Sequence, residues 1–322
     1  MDILLTGSVA FDYLMTFPGV FKEQILPERL EKISLSFLVD SMSRQYGGIA
    51  PNIAYTLALL GEHPRVMGTV GEDFKEYRTW LQAKGIDTTL MKVIPEVYTA
   101  SFFATTDLTN AQIASFYPGA MGYSARQSLV DVSPHPDLVV VSPSAPEAMT
   151  KFAAECRQLK IPYLYDPSQQ ILRLEGPELV RDMDGAHFLF VNDYEFELTC
   201  KKTGFNLDQM LKHVDIIVVT RGKEGSTIYV GGREYNIPVV PEVCIVDPTG
   251  VGDAFRGGFL AGYARGWDWE LCGQVGSLAA TYCLEQKGTQ NHFYTRSQFV
   301  ERFRKTFDDK GILDTIILEK TE

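Results

Sequence analysis

Residues 247–258 read "DPTGVGDAFRGG", a polar, glycine-crowded stretch between a β-branched run and a helix-like run. A plain turn needs one glycine at most, because each further one adds backbone entropy that folding must overcome. The preceding "EVCIVD" (242–247) reads as a strand, and a helix is predicted to begin near Gly252. The amides of Gly250, Val251 and Gly252 then lie at a helix N-terminus, where unsatisfied N–H groups and the helix dipole attract an anion. Asp253 falls in the first turn, where a carboxylate serves either as a helix-stabilising charge or as a general base. An anion-binding turn beside a carboxylate suits phosphoryl transfer to an alcohol, with amides stabilising the moving group and the acid taking the hydroxyl proton.

The rest of the chain is compatible with such an enzyme. Its 322 residues, 45% hydrophobic and 22% charged, suffice for a large core. A net charge of -11 argues against a general nucleic-acid surface, which basic groups would have to build; a local basic pocket for one small anion stays open. The five cysteines (156, 200, 244, 272, 283) lack C-x-x-C spacing and suggest free thiols in a reducing cytoplasm rather than disulfides or a zinc site. "MDILLTGSVAFDYL" reads as a strand and not a signal peptide, and no run has the length of a membrane span.

Short apolar runs alternate with helical patterns. Strands are predicted at 3–9, 65–71, 137–144, 162–168, 187–193, 215–222 and 226–232, with helices at about 50–60, 74–84, 145–159, 194–203 and 206–213. From about 252 the pattern is helical. This alternation favours an α/β fold with a mainly parallel sheet and helices on both faces. Segments 13–46 and 97–117 break the rhythm; the second reads as a hairpin around a polar turn, and both are expected to pair into a small lid.

"DPTGVGDAFRGGF" resembles the second signature of the ribokinase-like, or PfkB, family of carbohydrate and nucleoside kinases, with Pro248 following Asp247 and Val251 in place of the usual alanine. "YGGIAPNIAYTLALLG" (46–61) resembles the family's first signature, a Gly-Gly pair followed by Asn at a helix start. The resemblance extends over nearly the whole chain, residues 1–322 forming one kinase domain. It implies a three-layer α/β/α fold with a small β-sheet lid, ATP as donor and Mg2+ as bridging ion. It also implies Asp253 as base and Gly250, Val251 and Gly252 as anion hole. A monovalent cation lies beside that hole in some relatives.

The other positions read in two ways. Gly47 and Gly48 would cap or kink the chain before a helix, and Asn52 would be an ordinary first-turn residue; in the family such residues contact sugar hydroxyls. Asp12 would simply end the first strand, yet its carboxylate suits two vicinal hydroxyls, as the family's acid does. "VNDYE" (191–195) resembles the family's N-x-x-E motif, with Asn192 and Glu195 holding a hydrated Mg2+ through waters. "VVTRGKEG" (218–225) resembles the nucleotide-binding strand end, with Thr220, Gly222 and Gly225 near ATP, or else is a simple hairpin turn. "KGTQN" (287–291), with Gly288, is a candidate lining for the adenine pocket. There is no P-loop and no G-x-G-x-x-G after the first strand. The five histidines show no ligand spacing.

The acceptor is read from the lid. "TTDLTNAQIASFYPGAM" (105–121) resembles the corresponding segment of bacterial adenosine kinase-like members. Phe102, Phe103, Phe116 and Tyr117 supply surface suited to a base above a ribose, or else pack the lid on itself. The expected reaction is ATP-dependent phosphorylation of a ribonucleoside 5′-hydroxyl, adenosine foremost. A free-sugar kinase (ribose, fructose) and a non-catalytic nucleotide or sugar sensor are the alternatives. An exposed lid sheet can also pair with a second copy in a homodimer.

Overall fold

The computed structural model describes residues 1–25, 31 and 34–318. The chain enters through β1 (Ile3–Thr6) and runs on into β2 (Ala10–Thr16), a short α1 (Phe21–Gln24) and β3 (Ser41–Gly47). Next come α2 (Ile49–Leu59), β4 (Arg65–Val70), α3 (Lys75–Ala83) and β5 (Met91–Val93), then the hairpin of β6 (Ala100–Thr106) and β7 (Gln112–Tyr117). The alternation resumes with β8 (Leu138–Val141), α4 (Pro146–Leu159), β9 (Tyr163–Tyr165), α5 (Gly176–Met183) and β10 (Ala186–Asn192). It continues through α6 (Asp193–Thr203), α7 (Leu207–Met210), β11 (Val214–Thr220), β12 (Ser226–Val230) and β13 (Arg233–Ile237). Four helices follow: α8 (Val251–Ala264), α9 (Trp269–Leu284), α10 (Arg296–Phe303) and α11 (Asp314–Leu318).

Nine strands form one sheet in the order β13-β12-β11-β10-β9-β8-β1-β4-β5. It is parallel from β5 to β11, and β12 alone is reversed, pairing antiparallel with both β11 and β13. Both faces are covered, as a parallel sheet requires. Alternate residues divide between them: Ile3 and Leu5 pack with Ile53 and Leu57 of α2 and Phe259 of α8, while Leu4 and Val139 pack with Met149 and Phe152 of α4. The result is the expected three-layer α/β/α arrangement.

Strands from the two segments that break the rhythm, with β2 starting earlier at Ala10, form a second sheet, β3-β2-β6-β7; residues 26–30 and 32–33 of the expected 13–46 lid segment lie outside the described residues. β2 pairs antiparallel with β3 and parallel with β6, and β6 pairs antiparallel with β7. Asp107 builds the hairpin turn: its carboxylate accepts from the amides of Thr109 (2.8 Å), Ala111 (2.9 Å) and, across the lid, Phe21 (2.8 Å).

Two local expectations fail. Residues 242–247 form no strand. β13 already ends the sheet, and the segment crosses α9 instead, with the amides of Val246 and Asp247 donating to the Leu284 carbonyl. Val243 and Ile245 are consequently exposed. The helix expected over 206–213 is only α7, because the chain turns at once into β11.

The glycines of the opening stretch divide into two groups. Gly257 and Gly258 serve helix packing. A Cβ on Gly257 would stand 2.6 Å from the Thr56 side chain of α2, and one on Gly258 2.8 Å from Gly276 of α9. Gly250 and Gly252 belong to the cleft described next.

Candidate active site

A cleft of about 540 Å³ lies between the two sheets. It opens at the C-terminal ends of the parallel strands, where Ser8 and Ser168 follow β1 and β9, and Asn192 and Thr220 end β10 and β11. The lid contributes Asp12, Phe102 and Phe116, which lie in one row because Asp12 pairs with Phe102 and Phe102 with Phe116.

The N-terminus of α8 forms the opposite wall. Gly250 is its N-cap with φ 78°, a left-handed conformation that an L side chain would strain. The Val251 amide leans toward the Pro248 carbonyl at 3.4 Å, whereas among the described residues the Gly252 amide has no acceptor. Gly250, Gly252 and Asp253 line the cleft, and Val251 does not.

A hydrogen-bonded chain holds Asp253 in place. The Asn52 amide donates to Asp253 Oδ2 at 2.8 Å, and Gln290 Nε2 donates to Asn52 Oδ1 at 2.7 Å and to the Tyr77 hydroxyl at 2.6 Å. Tyr77 in turn donates to the Gly47 carbonyl at 3.0 Å, at the root of the lid. Gly48, at φ 94°, lets the chain pass β1, since a Cβ there would come within 2.5 Å of the Ser8 carbonyl. Gly47 lies against the Asp12 carboxylate, though outside the cleft lining.

Burial pushes the Asp253 carboxyl above its ordinary value, opposed by the Arg256 guanidinium and the Asn52 hydrogen bond. Asp12 rises to about 6 through burial and the neighbouring charges of Asp247 and Asp253. Burial also pushes Asp247 up, yet hydrogen bonds from the Gly288 and Thr249 amides (2.9 Å each) hold it below its ordinary value. Arg256 pairs with Asp166, placed just past β9, through Nε–Oδ2 at 2.8 Å and Nη2–Oδ1 at 2.9 Å.

Asn192 and Glu195 form a capping box on α6 rather than two positions of one helix face: each side chain accepts from the other's amide at 2.8 Å. Both line the cleft. Among the described residues no three His, Cys, Asp or Glu side chains converge on a metal. Glu195 gives the cleft one carboxylate beside Asn192, a donor set suited to Mg2+, which keeps several waters and is bound through one or two carboxylates plus substrate phosphates. Gly222, Gly225 and Gly288 do not line the cleft. Gly225 packs against the Ile237 carbonyl, where a Cβ would stand 2.0 Å away, and the Gly288 amide is taken by Asp247. Reading the sequence overlooked Arg256, Asp166 and Gln290. The available signals were an arginine three residues after Asp253, on the same helix face, and an aspartate at a strand's C-terminal end.

Fold and cleft together define a lidded α/β kinase of small molecules. The chain belongs to the pfkB family of carbohydrate kinases, whose signature matches residues 7–296. It is 31% identical to the nucleoside kinase of Methanocaldococcus jannaschii over 305 residues, 94% of this chain and 97% of that one. It is 30% identical to the nucleoside kinase of Methanothermobacter thermautotrophicus over 306 residues, covering 94% and 95%. The structure of Burkholderia thailandensis nucleoside kinase in complex with inosine superposes with a TM-score of 0.85 at 38% identity, over 95% of this chain and 98% of that one. The chain is thus an ATP-dependent phosphotransferase acting on a nucleoside or a sugar. No described helix is long and apolar enough to cross a membrane, and all five cysteines are free, with Cys156, Cys272 and Cys283 buried, Cys200 half-buried and Cys244 exposed.

Proposed function

We propose that the chain transfers the γ-phosphoryl of ATP to the 5′-hydroxyl of a purine ribonucleoside. Adenosine is the acceptor its lid sequence favours, and inosine the one bound by the Burkholderia thailandensis relative. The observation that carries this reading is the convergence of Asp12, Asn52 and Asp253 on one cleft at the N-terminus of α8. A binding protein has no need of a half-buried carboxylate beside an open helix N-terminus.

Asp12 accepts the ribose hydroxyls, with Asn52 and the backbone at Gly47 and Gly48 closing round the ring. Phe102 and Phe116 offer the base an aromatic surface. Asp253 takes the 5′-hydroxyl proton while the new O–P bond forms, the bond to the β-phosphate breaks and ADP leaves. The α8 N-terminus, at Gly250 and Gly252 above all, receives the charge of the moving group. Mg2+, when bound, neutralises phosphate charge; Glu195 and Asn192 would hold it through water. Thr220 and the turn of Gly222 and Gly225 face the nucleotide side, and Gly288 orders Asp247, next to which a monovalent cation would sit.

In this reading residues 1–322 work as one unit in the cytoplasm, where free thiols persist. A second copy pairs along β7, whose six residues are all exposed. The test measures ADP release with Mg-ATP and adenosine, inosine, cytidine, ribose or fructose. We expect kcat/KM for the purine nucleosides at least ~10²-fold above that for the free sugars, the scale of discrimination by apolar contacts such as those Phe102 and Phe116 would offer the base. A preference for ribose or fructose overturns the nucleoside assignment.

A further inference from the structure

We propose that Arg256 is a further catalytic residue, whose guanidinium stabilises the phosphoryl group in flight, and that Asp166 is its positioning residue. This rests on the reading of the α8 N-terminus as the site of phosphoryl transfer. Among the described residues lining the cleft, Arg256 has the one basic side chain, against the carboxylates of Asp12, Glu195 and Asp253. A triphosphate entering a wall of carboxylates needs a compensating positive charge there, and a low-dielectric cleft magnifies the need.

The placement is specific. Arg256 stands three residues after Asp253, and long helix side chains lean back toward the helix N-terminus. Its guanidinium therefore returns over the anion-binding turn: Nη1 lies 3.8 Å from Asp253 Oδ1, and a Cβ on Gly252 would come within 2.8 Å of it. Glycine at 252 thus makes room for the guanidinium as well as exposing its amide. Nη2 donates to Asp166 Oδ1 at 2.9 Å while Nε lies 2.8 Å from Oδ2 as an ion-pair contact without a hydrogen bond, so that Asp166 holds the guanidinium from one side. Nη1, the guanidinium nitrogen at the anion-binding turn, has no hydrogen-bond partner among the described residues and is the donor placed for a phosphoryl oxygen.

A purely structural role explains this arrangement less well. Buried ion pairs are weak contributors to stability, since well-packed apolar residues serve the fold as well or better. A donor already fixed by Asp166 needs no reorganisation when charge moves onto the phosphoryl group. Arg256 exchanges no proton. The hydroxyl proton still goes to Asp253, the acceptor oxygen bonds phosphorus, and the bond to the departing ADP breaks.

The experiment compares Arg256→Met, which removes the charge at similar length, and Arg256→Lys, which keeps a cation without the fork. Each is assayed with Mg-ATP on the nucleosides and sugars named above, and ADP calorimetry counts folded sites. Per folded site, we expect kcat to fall ~10²- to 10³-fold in Arg256→Met and ~10-fold or more in Arg256→Lys, with ADP affinity within ~3-fold of the parent. Ethylguanidinium should restore part of the turnover of Arg256→Ala, which a structural role would not allow. The proposal is overturned if kcat per folded site stays within ~3-fold of the parent in the variants that fold. Should the parent prefer a sugar, only the nucleoside assignment falls, and Arg256 is judged on that sugar. Should Asp253→Asn retain full turnover, both readings fall.

Discussion

Asn52 donates to the Asp253 carboxylate at 2.8 Å from 201 positions away in the chain. The start of α2 is thereby tied to the start of α8, and Asn52 also accepts from the buried Gln290. The contact favours the ionised form of a carboxyl whose pKa burial raises.

Asp253→Asn should lower kcat ~10²- to 10⁴-fold with nucleoside and ATP binding little changed, as expected when a general base is lost. Steady-state kinetics set beside calorimetric binding check this. Turnover near the parent rate removes the role assigned to Asp253.

Asn52→Leu removes the hydrogen bond that favours the charged carboxylate, so the Asp253 pKa should rise further above its ordinary value. The acid limb of kcat against pH should then move to higher pH. Gln290 keeps Tyr77 but loses one acceptor, and stability should fall by ~1–3 kcal/mol. An unmoved acid limb would mean that Asn52 does not set the charge state of Asp253.

Asp12 titrates at about 6 in the folded chain, against an ordinary value of 3.8. The folded state therefore binds more protons between these values. The stability Asp12 contributes is full below about pH 4 and lost as pH rises through about 6. Asp12→Asn should be more stable than the parent above about pH 7, by on the order of 1–3 kcal/mol, with the advantage vanishing toward pH 4. Its KM for nucleoside should rise. Urea unfolding across that range gives the answer, and a pH-independent difference contradicts it.

Glu195→Gln keeps the capping box, because glutamine caps as glutamate does, but it removes a charge from the cleft. Melting should be nearly unchanged while the Mg2+ concentration for half-maximal rate rises ~10-fold or more. Unaltered Mg2+ dependence would place the metal elsewhere.

Gly48→Ala puts a Cβ at φ 94° within 2.5 Å of the Ser8 carbonyl. The strain should cost ~1–3 kcal/mol, read as a lower urea midpoint at unchanged slope. An unshifted midpoint would show that the turn relaxes freely.

Much of this was legible in one dimension. The βα alternation, the lid hairpin over 97–117 and the start of α8 all follow from periodicity and turn chemistry, which act over a few residues. The 242–247 run misled because β-branched composition marks a strand only where a sheet edge is available to pair with it. The Asn192–Glu195 pair was visible as a motif, but its reciprocal cap became evident only with the backbone in place.

What the sequence by itself determined is the set of local elements and the glycine-rich turn that exposes amides beside Asp253. Tertiary structure alone decided which distant groups surround that turn. Asp166 reaches Arg256 from 90 positions away, and Gln290 reaches Asn52 from 238. Backbone propensities and apolar periods are short-range properties, whereas the pairing of buried polar groups depends on how the layers pack, and packing is set by the whole chain at once.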